Sequence, residues 1–311
     1  MLEKRKIIID CDPGVDDAYA IMLANSYEGF DIRGITPVAG NVAFTYTHRN
    51  ALDLTEMLGM DVPVAMGAEK PLILQLETAD LVHGKNGLAD YVFENSTRNL
   101  APIKAWDLMY QEAVKLQGEL EIIAVGPLTN VAIAILKYPD LKRYVKSLTI
   151  MGGSATTGNH SPYGEFNIWV DPHAAEIVFQ SGIPITMIGL NTTRQAAFTR
   201  EEMEEFSKEK SLVQPILKAM TEYSFEKGWS RKTGTMILHD AITVGHLMDE
   251  ELIQTEKYYV AVEYKGVHTM GQTVVDFSGV CKKEPNVEVA MKVDKERFRK
   301  MLQKMVKFYQ V

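Results

Sequence analysis

Short apolar runs alternate with helical patterns through the first two thirds of this 311-residue chain. The runs predict strands at residues 6–9, 32–38, 62–66, 122–125, 148–151 and 185–188, and the segments between them predict helices at 18–25, 44–58, 129–136 and from Pro172. Continuous apolar runs are typical of parallel strands that are buried on both faces. We therefore expect an α/β fold, doubly wound, with a mostly parallel central sheet flanked by helices.

The last third of the chain is less regular. It predicts a helix-rich stretch over 201–228 with a break or helix start at Pro215, strands at 258–262, 273–277 and 287–293, and a closing amphipathic helix at 294–308. No linker, composition shift, repeat or low-complexity tract divides the sequence. We expect a single domain over residues 1–311.

Composition excludes several classes of protein. Apolar residues are 46% and charged residues 24% of the chain, which leaves ample material for a core and argues against disorder, collagen and coiled coil. The net charge is −8 without any long basic run, so neither nucleic acid nor a membrane is an expected partner. Two cysteines are too few for a disulfide framework, and we expect a cytoplasmic protein with Cys11 inside a turn and Cys281 buried in the core.

Polar residues and glycines follow the predicted strands, at the edge where open α/β sheets bind ligands. The segments in question are DCDPGVDD (10–17), Gly40–Asn41, VGPLTN (125–130), and Gly152–Ser154 leading to Asn159, Glu165 and Asn167. We expect them to face one crevice, with Met151 beside it. Asn130 is interpreted as a helix cap.

Four aspartates, Asp10, Asp12, Asp16 and Asp17, lie within eight residues, and Pro13–Gly14 makes the intervening turn tight. Converging carboxylates repel one another unless a cation lies between them, and an all-oxygen ligand set suits Ca²⁺ or Mg²⁺ better than zinc. The alternative is that Asp16 or Asp17 only caps the next helix, which is the better reading for one aspartate but not for four.

Two other features carry weaker signals. The His239–Asp240 pair follows an apolar run, and His83 lies in a glycine-flanked loop; taken alone, each histidine is more typical of a solvated or capping position. The aromatic cluster of Tyr223, Phe225 and Trp229, with Arg231, predicts either core or a lid that stacks on a planar ligand.

Seven motifs in order make the sequence similar to the nucleoside hydrolases, the inosine–uridine preferring nucleoside N-ribohydrolase family. They are DCDPGVDDAYA (10–20), VAGN (38–41), HGKNG (83–87), VGPLTN (125–130), MGG (151–153), the stretch from Asn159 through EFN (165–167), and HD (239–240). The resemblance implies Ca²⁺-dependent hydrolysis of the N-glycosidic bond of ribonucleosides of the uridine, cytidine and inosine class to ribose and free base, in nucleoside salvage.

The resemblance also implies roles for individual residues. Asp12, Asp17, Asp240 and the backbone carbonyl of Val125 would bind Ca²⁺, and Asp12 would also be the general base. The sugar contacts would come from Asp16 (2′-hydroxyl), Asn167 (3′-hydroxyl), Asn159 and Glu165 (5′-hydroxyl), and Asn41 (water or diol). His239 would protonate the leaving base, with His83 as a second histidine on the base side. Arg194 stands where many members have histidine. A homo-oligomer, dimer or tetramer, is expected.

Two other functions stay open on the residues alone. A haloacid dehalogenase-type metal-dependent phosphatase also places a D-x-D arrangement after a strand, although Gly14 stands where that class favours Thr or Val. A non-catalytic Ca²⁺-dependent nucleoside or sugar binder would need the metal ligands, but it would need neither an acid nor a base.

Overall fold

The computed structural model describes residues 4–93 and 97–310. Its strands are β1 (Arg5–Cys11), β2 (Phe30–Pro37), β3 (Ala65–Met66), β4 (Ala101–Lys104), β5 (Leu120–Ala124), β6 (Val145–Met151), β7 (Ile185–Ile188), β8 (Phe198–Thr199), β9 (Thr235–Met236), β10 (Ile253–Tyr258), β11 (Val260–Val262), β12 (Thr273–Val275) and β13 (Val287–Val293). Its α-helices are α1 (Val15–Asn25), α2 (Phe44–Met57), α3 (Asp80–His83), α4 (Ala105–Leu116), α5 (Thr129–Lys137), α6 (Phe166–Val170), α7 (Pro172–Phe179), α8 (Leu190–Thr193), α9 (Arg200–Glu205), α10 (Gln214–Glu226), α11 (Ser230–Thr233), α12 (His239–Met248) and α13 (Lys295–Phe308). Short 3₁₀ turns occupy Leu141–Arg143, Arg194–Ala196 and Glu250–Leu252.

A seven-stranded sheet in the order β10-β13-β7-β6-β5-β1-β2 forms the centre of the molecule. Neighbouring strands are parallel, except for the antiparallel pair of β10 and β13 at one edge. The chain winds outward from β1 to β2 on one side and from β5 to β7 on the other. Ligands bind open α/β sheets beyond the carboxyl ends of the strands where the winding reverses, so the β1–β5 junction is the expected site. The predicted fold class is confirmed.

Both faces of the sheet are buried. Along β1, Ile7 and Ile9 pack into one hydrophobic cluster together with α1, α12 and α13, whereas Ile8 points to the other face and packs with α4, α5 and α7. All three side chains are fully buried, and burying an isoleucine contributes about 1.5–3 kcal/mol. The run of consecutive isoleucines is therefore explained by a strand that has no solvent face.

Helix boundaries in the last third follow local chemistry. Pro215 lies in the first turn of α10, where its missing N–H leaves no hydrogen bond unmade, so the predicted helix start is confirmed. Helix α13 begins after Asp294, whose carboxylate accepts the backbone N–H of Arg297 at 3.0 Å. Its apolar face buries Phe298 and Leu302, as the amphipathic pattern predicts.

Three local predictions are wrong. The segment 258–262 is not one strand: β10 ends at Tyr258 and pairs with β13, whereas β11 begins at Val260 and pairs with β12. The break lies where the side chain of Asn286 accepts the N–H of Val260 at 2.8 Å. Strand β3 covers only the end of the predicted 62–66 run. Cys281 is exposed, because the carboxylate of Asp276 holds its loop at the surface by accepting the Cys281 N–H at 2.7 Å.

Cys11 is the last residue of β1 and is fully buried, so it precedes the turn in which it was expected. Within residues 4–93 and 97–310, none of the helices combines the length and the apolar character that crossing a lipid bilayer requires.

Candidate active site

The turn after β1 is folded around the carboxylate of Asp17. Its Oδ1 accepts the N–H of Asp12 at 3.1 Å, and its Oδ2 accepts the N–H of Gly14 at 2.9 Å. Gly14 is the N-cap residue of α1, so Asp17, at the third helical position, accepts the N-cap N–H as the acidic residue of a capping box does. Its Oδ2 also accepts Nδ2 of Asn41 at 3.0 Å. Three donors fix the Asp17 carboxylate in one orientation. Asp17 therefore both stabilises the start of α1 and forms part of the site.

Asp12 is fully buried and only partly satisfied. Its Oδ2 accepts the N–H of Asn41 at 2.6 Å, but its Oδ1 has no hydrogen-bond partner among the described residues. Backbone surrounds the carboxylate closely: a Cβ on Gly40 would lie 2.1 Å from Oδ2, and one on Gly126 would lie 2.8 Å from Oδ1. A buried carboxylate oxygen without a donor is costly unless a cation or a polar ligand contacts it.

Asp16, Asp17 and Asp240 form an acidic cluster in which one carboxylate oxygen from each lies within 4.8 Å of the others. Asp240 comes from the first turn of α12, so the cluster joins the turn after β1 to a helix in the last third of the chain. Burial, followed by the negative charge of Asp17, raises the pKa of Asp16 to about 7. Burial raises the pKa of Asp17 to about 6 against the hydrogen bonds that lower it. Burial and neighbouring carboxylates hold the pKa of Asp240 well above its usual range.

Asp12 lies outside that compact group of three, but the charges of Asp17 and Asp16 act on it. Burial, and after it the charge of Asp17, raises the pKa of Asp12 well above its ordinary value. Asp10, the fourth aspartate of the motif, does not converge with the others. It belongs to β1, and its Oδ1 accepts the hydroxyl of Thr36 at 2.6 Å, on the neighbouring strand β2. Of the four aspartates of the turn, Asp16 and Asp17 therefore converge as expected and act on Asp12 through their charges, whereas Asp10 lies apart.

The carboxyl ends of β5 and β6 are joined by Asn167. Its Nδ2 donates to the carbonyl of Val125 at 2.8 Å and to the carbonyl of Met151 at 3.1 Å. Asn167 is positioned in turn by Glu165, the N-cap residue of α6, whose Oε1 accepts the Asn167 N–H at 3.0 Å. Burial raises the pKa of Glu165 to about 7. Asn159 lies nearby, and its Oδ1 accepts the N–H of Phe166 at 2.9 Å.

Two buried histidines also line the site. The N–H of Val15 donates to Nδ1 of His83 at 3.1 Å, and burial lowers the pKa of His83 to about 4. His239 is the first residue of α12, with its Nδ1 2.8 Å from the hydroxyl of Thr193. Burial, and after it the positive charge of Arg194, lowers the pKa of His239 to about 3. Both imidazoles are therefore neutral near pH 7.

A cavity of about 610 Å³ connects these groups. Of the residues expected from the sequence, those that line it are Asp16, Asn41, His83, Val125, Met151, Asn159, Glu165, Asn167, His239 and Asp240. Asp12 and Asp17 are fully buried and contact Asn41, which is part of the wall. Its volume suits a small organic ligand, and its lining includes carboxylates, amides and imidazoles.

Sequence reasoning assigned no site role to Arg194 or His160, and both line the cavity. Trp229 also lines it and is 55% exposed, which fits the lid alternative, whereas Phe225 is buried in the core and Arg231 is exposed outside the lining. The aromatic cluster was a visible signal for Trp229. The expected cap role of Asn130 is wrong, because its side chain binds Asp10 and Ala68 instead of the first turn of α5.

Comparison with known proteins agrees with this geometry. The sequence profile of the family described as inosine-uridine preferring nucleoside hydrolase matches residues 7–300. The pyrimidine-specific ribonucleoside hydrolase RihA of Escherichia coli is 39% identical over 306 residues, which cover 97% of this chain and 98% of RihA.

Two solved structures show the same similarity. A plant nucleoside hydrolase has 33% identity and a TM-score of 0.91, and a purine-preferring ribonucleoside hydrolase from Gardnerella vaginalis has 31% identity and a TM-score of 0.90; both alignments cover 97% of this chain and 98% of the other chain. These matches favour a hydrolase over the phosphatase and over the non-catalytic binder. The chain therefore belongs to the inosine-uridine preferring nucleoside hydrolase family and is a ribonucleoside hydrolase.

Proposed function

We propose that this hydrolase uses Ca²⁺ to cleave the N-glycosidic bond of uridine, cytidine and inosine-type ribonucleosides in nucleoside salvage, with a preference for pyrimidines. The observation that carries the proposal is the acidic cluster of Asp16, Asp17 and Asp240 at a cavity that two neutral histidines also line. The pyrimidine preference draws on the 39% identity to pyrimidine-specific RihA.

The donor set fits a hard cation. Asp12, Asp17, Asp240 and the Val125 carbonyl would hold Ca²⁺, and all of these ligands offer oxygen. The bare Oδ1 of Asp12 and the raised pKa values of the cluster are the signs of carboxylates that lack a compensating charge. When bound, Ca²⁺ supplies flexible oxygen coordination, a positive charge that orients the ribose hydroxyls, and a lower pKa for a neighbouring water molecule.

The polar side chains that line the cavity would bind the sugar. Asp16 would accept the 2′-hydroxyl and Asn167 would bind the 3′-hydroxyl, while Asn159 and Glu165 would hold the 5′-hydroxyl. Met151 would pack beside the ring. Carboxylates around the ribose stabilise the positive charge that develops on it as the glycosidic bond breaks, and this stabilisation is absent in the ground state.

Asp12 is the proposed general base. Its buried Oδ1 is free to accept a proton from the attacking water, which Asn41 would help to orient. The water oxygen then bonds to C1′, and the electron pair of the C1′–N bond leaves with the base. A positioned carboxylate of this kind contributes roughly 10²–10⁴-fold to the rate.

His239 is the proposed donor to the leaving base, with His83 as a second contact. When the hydroxyl of Thr193 donates to Nδ1 of His239, the proton of the neutral ring lies on Nε2 and can face the base. Negative charge that builds up on the departing base then draws this proton. The reaction balances as nucleoside plus water giving ribose plus base.

We further propose a cytoplasmic homo-oligomer, a dimer or a tetramer, which acts on a small-molecule nucleoside. Two cysteines without a disulfide between them, Cys11 buried and Cys281 exposed, fit a reducing compartment. Light scattering on the purified protein tests the assembly, and a monomeric mass at micromolar concentration would contradict it.

A reducing-sugar assay tests the central proposal. Uridine, cytidine, inosine and adenosine are supplied with Ca²⁺ or with a chelator, and we expect release of ribose that depends on Ca²⁺ and is faster for the pyrimidines. Background rates for all four nucleosides with Ca²⁺ would refute the function. Equal rates in the chelator would refute only the metal requirement, and faster release from the purines would refute the preference.

A further inference from the structure

Arg194 is a cation in the wall of the cavity that the proposed reaction does not use. It follows Thr193, the hydroxyl partner of His239, and its positive charge acts on His239, but its hydrogen bonds go to Thr157 and Gly158. Its Nη1 donates to the carbonyl of Thr157 at 3.1 Å and to the hydroxyl of Thr157 at 2.8 Å, and its Nη2 donates to the carbonyl of Gly158 at 2.7 Å. Three bonds from one planar guanidinium fix the backbone that they contact.

The residue immediately after this contact is Asn159. Its backbone N–H donates to the carbonyl of Gly164 at 3.2 Å, and its Oδ1 accepts the N–H of Phe166 at 2.9 Å. Its Nδ2 makes no hydrogen bond to the residues that the structure describes. Asn159 also lines the cavity next to Glu165. Its side chain therefore has one end tied to the protein and a free donor for a ligand.

Asn159 belongs to the 155–164 loop, whose central residues are largely exposed. Side chains from outside the loop restrain it on either side of Asn159, and Asn191 also holds its start by accepting the N–H of Ala155 at 3.1 Å. Arg194 binds Thr157 and Gly158 on one side. On the other side the ring of His160 packs 4.0 Å from the ring of Trp169, and its Nε2 lies 3.6 Å from the carboxylate of Glu77. An exposed loop keeps a precise geometry only when such contacts restrain it.

We propose that Arg194 is a positioning residue that fixes Asn159 against the 5′-hydroxyl of the substrate. The inference rests on the proposed function, because it takes the 5′-hydroxyl contact of Asn159 from there. It assigns to Arg194 the preference for nucleosides that carry this hydroxyl. A lysine at this position would supply the charge but not the planar fork whose two nitrogens reach Thr157 and Gly158 separately.

The test compares uridine with 5′-deoxyuridine in the wild type, Arg194→Ala, Asn159→Ala and the double variant. In the wild type we expect kcat/KM to be about tenfold higher for uridine, the size of one well-placed hydrogen bond. In Arg194→Ala the ratio should fall to about twofold, because uridine loses the contact and 5′-deoxyuridine has none to lose. The double variant should resemble Asn159→Ala, since the two residues act on one contact. Arg194→Lys should give an intermediate ratio.

Three further variants or measurements separate the outcomes. Thr193→Val disturbs the partner of His239 and should slow both substrates equally, whereas Arg49→Ala removes an arginine that pairs with Asp53 of its own helix and should change neither rate. Chymotrypsin should cleave after Tyr163, which is 45% exposed in the same loop, several-fold faster in Arg194→Ala than in the wild type or Arg49→Ala.

Equal slowing of both substrates in Arg194→Ala, or an unchanged ratio, would overturn the inference while leaving the proposed function intact. Unchanged cleavage after Tyr163 would also count against it. A wild type that does not distinguish uridine from 5′-deoxyuridine would refute the 5′-hydroxyl contact itself, and the role of Arg194 would fall with it.

Discussion

Asn130 on α5 donates from Nδ2 to Oδ1 of Asp10 on β1 at 2.8 Å. The same amide group lies 3.3 Å from the carbonyls of Thr36 and Pro37 at the end of β2, and the Asn130 Oδ1 accepts the N–H of Ala68 at 2.8 Å. The Asn130 side chain thus joins the ends of β1 and β2 to the loop after β3. Its partner on β1, Asp10, is two residues before Asp12. All of its partners are buried, so their hydrogen bonds are costly to lose.

Asn130→Ala should lower the free energy of unfolding by about 2–3 kcal/mol, because Asp10 loses a donor and the Ala68 N–H loses its acceptor. Urea denaturation measures the loss. Asn99→Ala removes an exposed asparagine and should change stability by less than about 0.5 kcal/mol. Equal effects of the two substitutions would show that the buried contacts of Asn130 contribute nothing.

Asp12→Asn should reduce kcat by about 10³–10⁴-fold with a smaller effect on KM, because the amide keeps the shape of the side chain but cannot accept the proton. Steady-state kinetics on uridine measure the split. Thermal unfolding of the variant is the control for folding, since the Asn41 N–H can still donate to the side-chain oxygen. Activity within tenfold of the wild type would remove Asp12 from the role of base.

Ca²⁺ should stabilise the protein more at pH 8 than at pH 5. The folded-state pKa of Asp16 is about 7 and that of Asp17 about 6, above the usual value for aspartate, so the metal-free folded state binds more protons than the unfolded state between about pH 4 and 7. Metal-free stability therefore falls as the pH rises through that window. A cation that binds the ionised carboxylates reverses the loss, and at 100 times its Kd it contributes about 2.7 kcal/mol.

Differential scanning calorimetry with and without Ca²⁺ measures this dependence. Asp240→Asn should remove most of the Ca²⁺-induced rise in Tm at pH 8, whereas Asp61→Asn, at an exposed position outside the cavity, should leave the rise unchanged. A rise in Tm that is larger at pH 5 than at pH 8 would contradict both the ion site and the sign of the pKa shifts.

His239→Ala should slow uridine hydrolysis by about 10²–10³-fold and p-nitrophenyl riboside hydrolysis by less than about tenfold, because nitrophenolate leaves without a proton. Rates on both substrates measure the difference. Thr193→Val should also slow uridine hydrolysis, but by a smaller factor, since it removes only the hydroxyl next to Nδ1 of His239. Equal losses on the two substrates in His239→Ala would assign the histidine to binding.

Local patterns were sufficient for the sheet and for the polar residues at its edge. Ile7, Ile8 and Ile9 can be buried together only in a strand with two covered faces. Asp12 directly follows β1 and Asn41 comes four residues after the end of β2, so the fold brings them to one edge. The division of the 258–262 segment into β10 and β11 could not be predicted in this way. It depends on Asn286, a polar side chain from a distant loop, and not on the apolar pattern of the segment itself.

The missed residues share a physical reason. Arg194 reaches Thr157 and Gly158 across 37 and 36 positions of sequence, and Asn130 reaches Asp10 across 120, so their partners depend on the path of loops. Cys281 has the residue type of a core position, but its loop is held outside by Asp276. Residue type and spacing predict which side chains a strand end presents, but not which side chains reach it from elsewhere.

Gly40 and Gly126 press against the carboxylate of Asp12 so closely that neither position has room for a side chain. Any side chain at either position would displace Asp12. Trp229, which also lines the cavity, lies between α10 and α11 and is 55% exposed. Redesign for a different nucleobase should therefore begin at Trp229, where a side chain can be exchanged without moving Asp12.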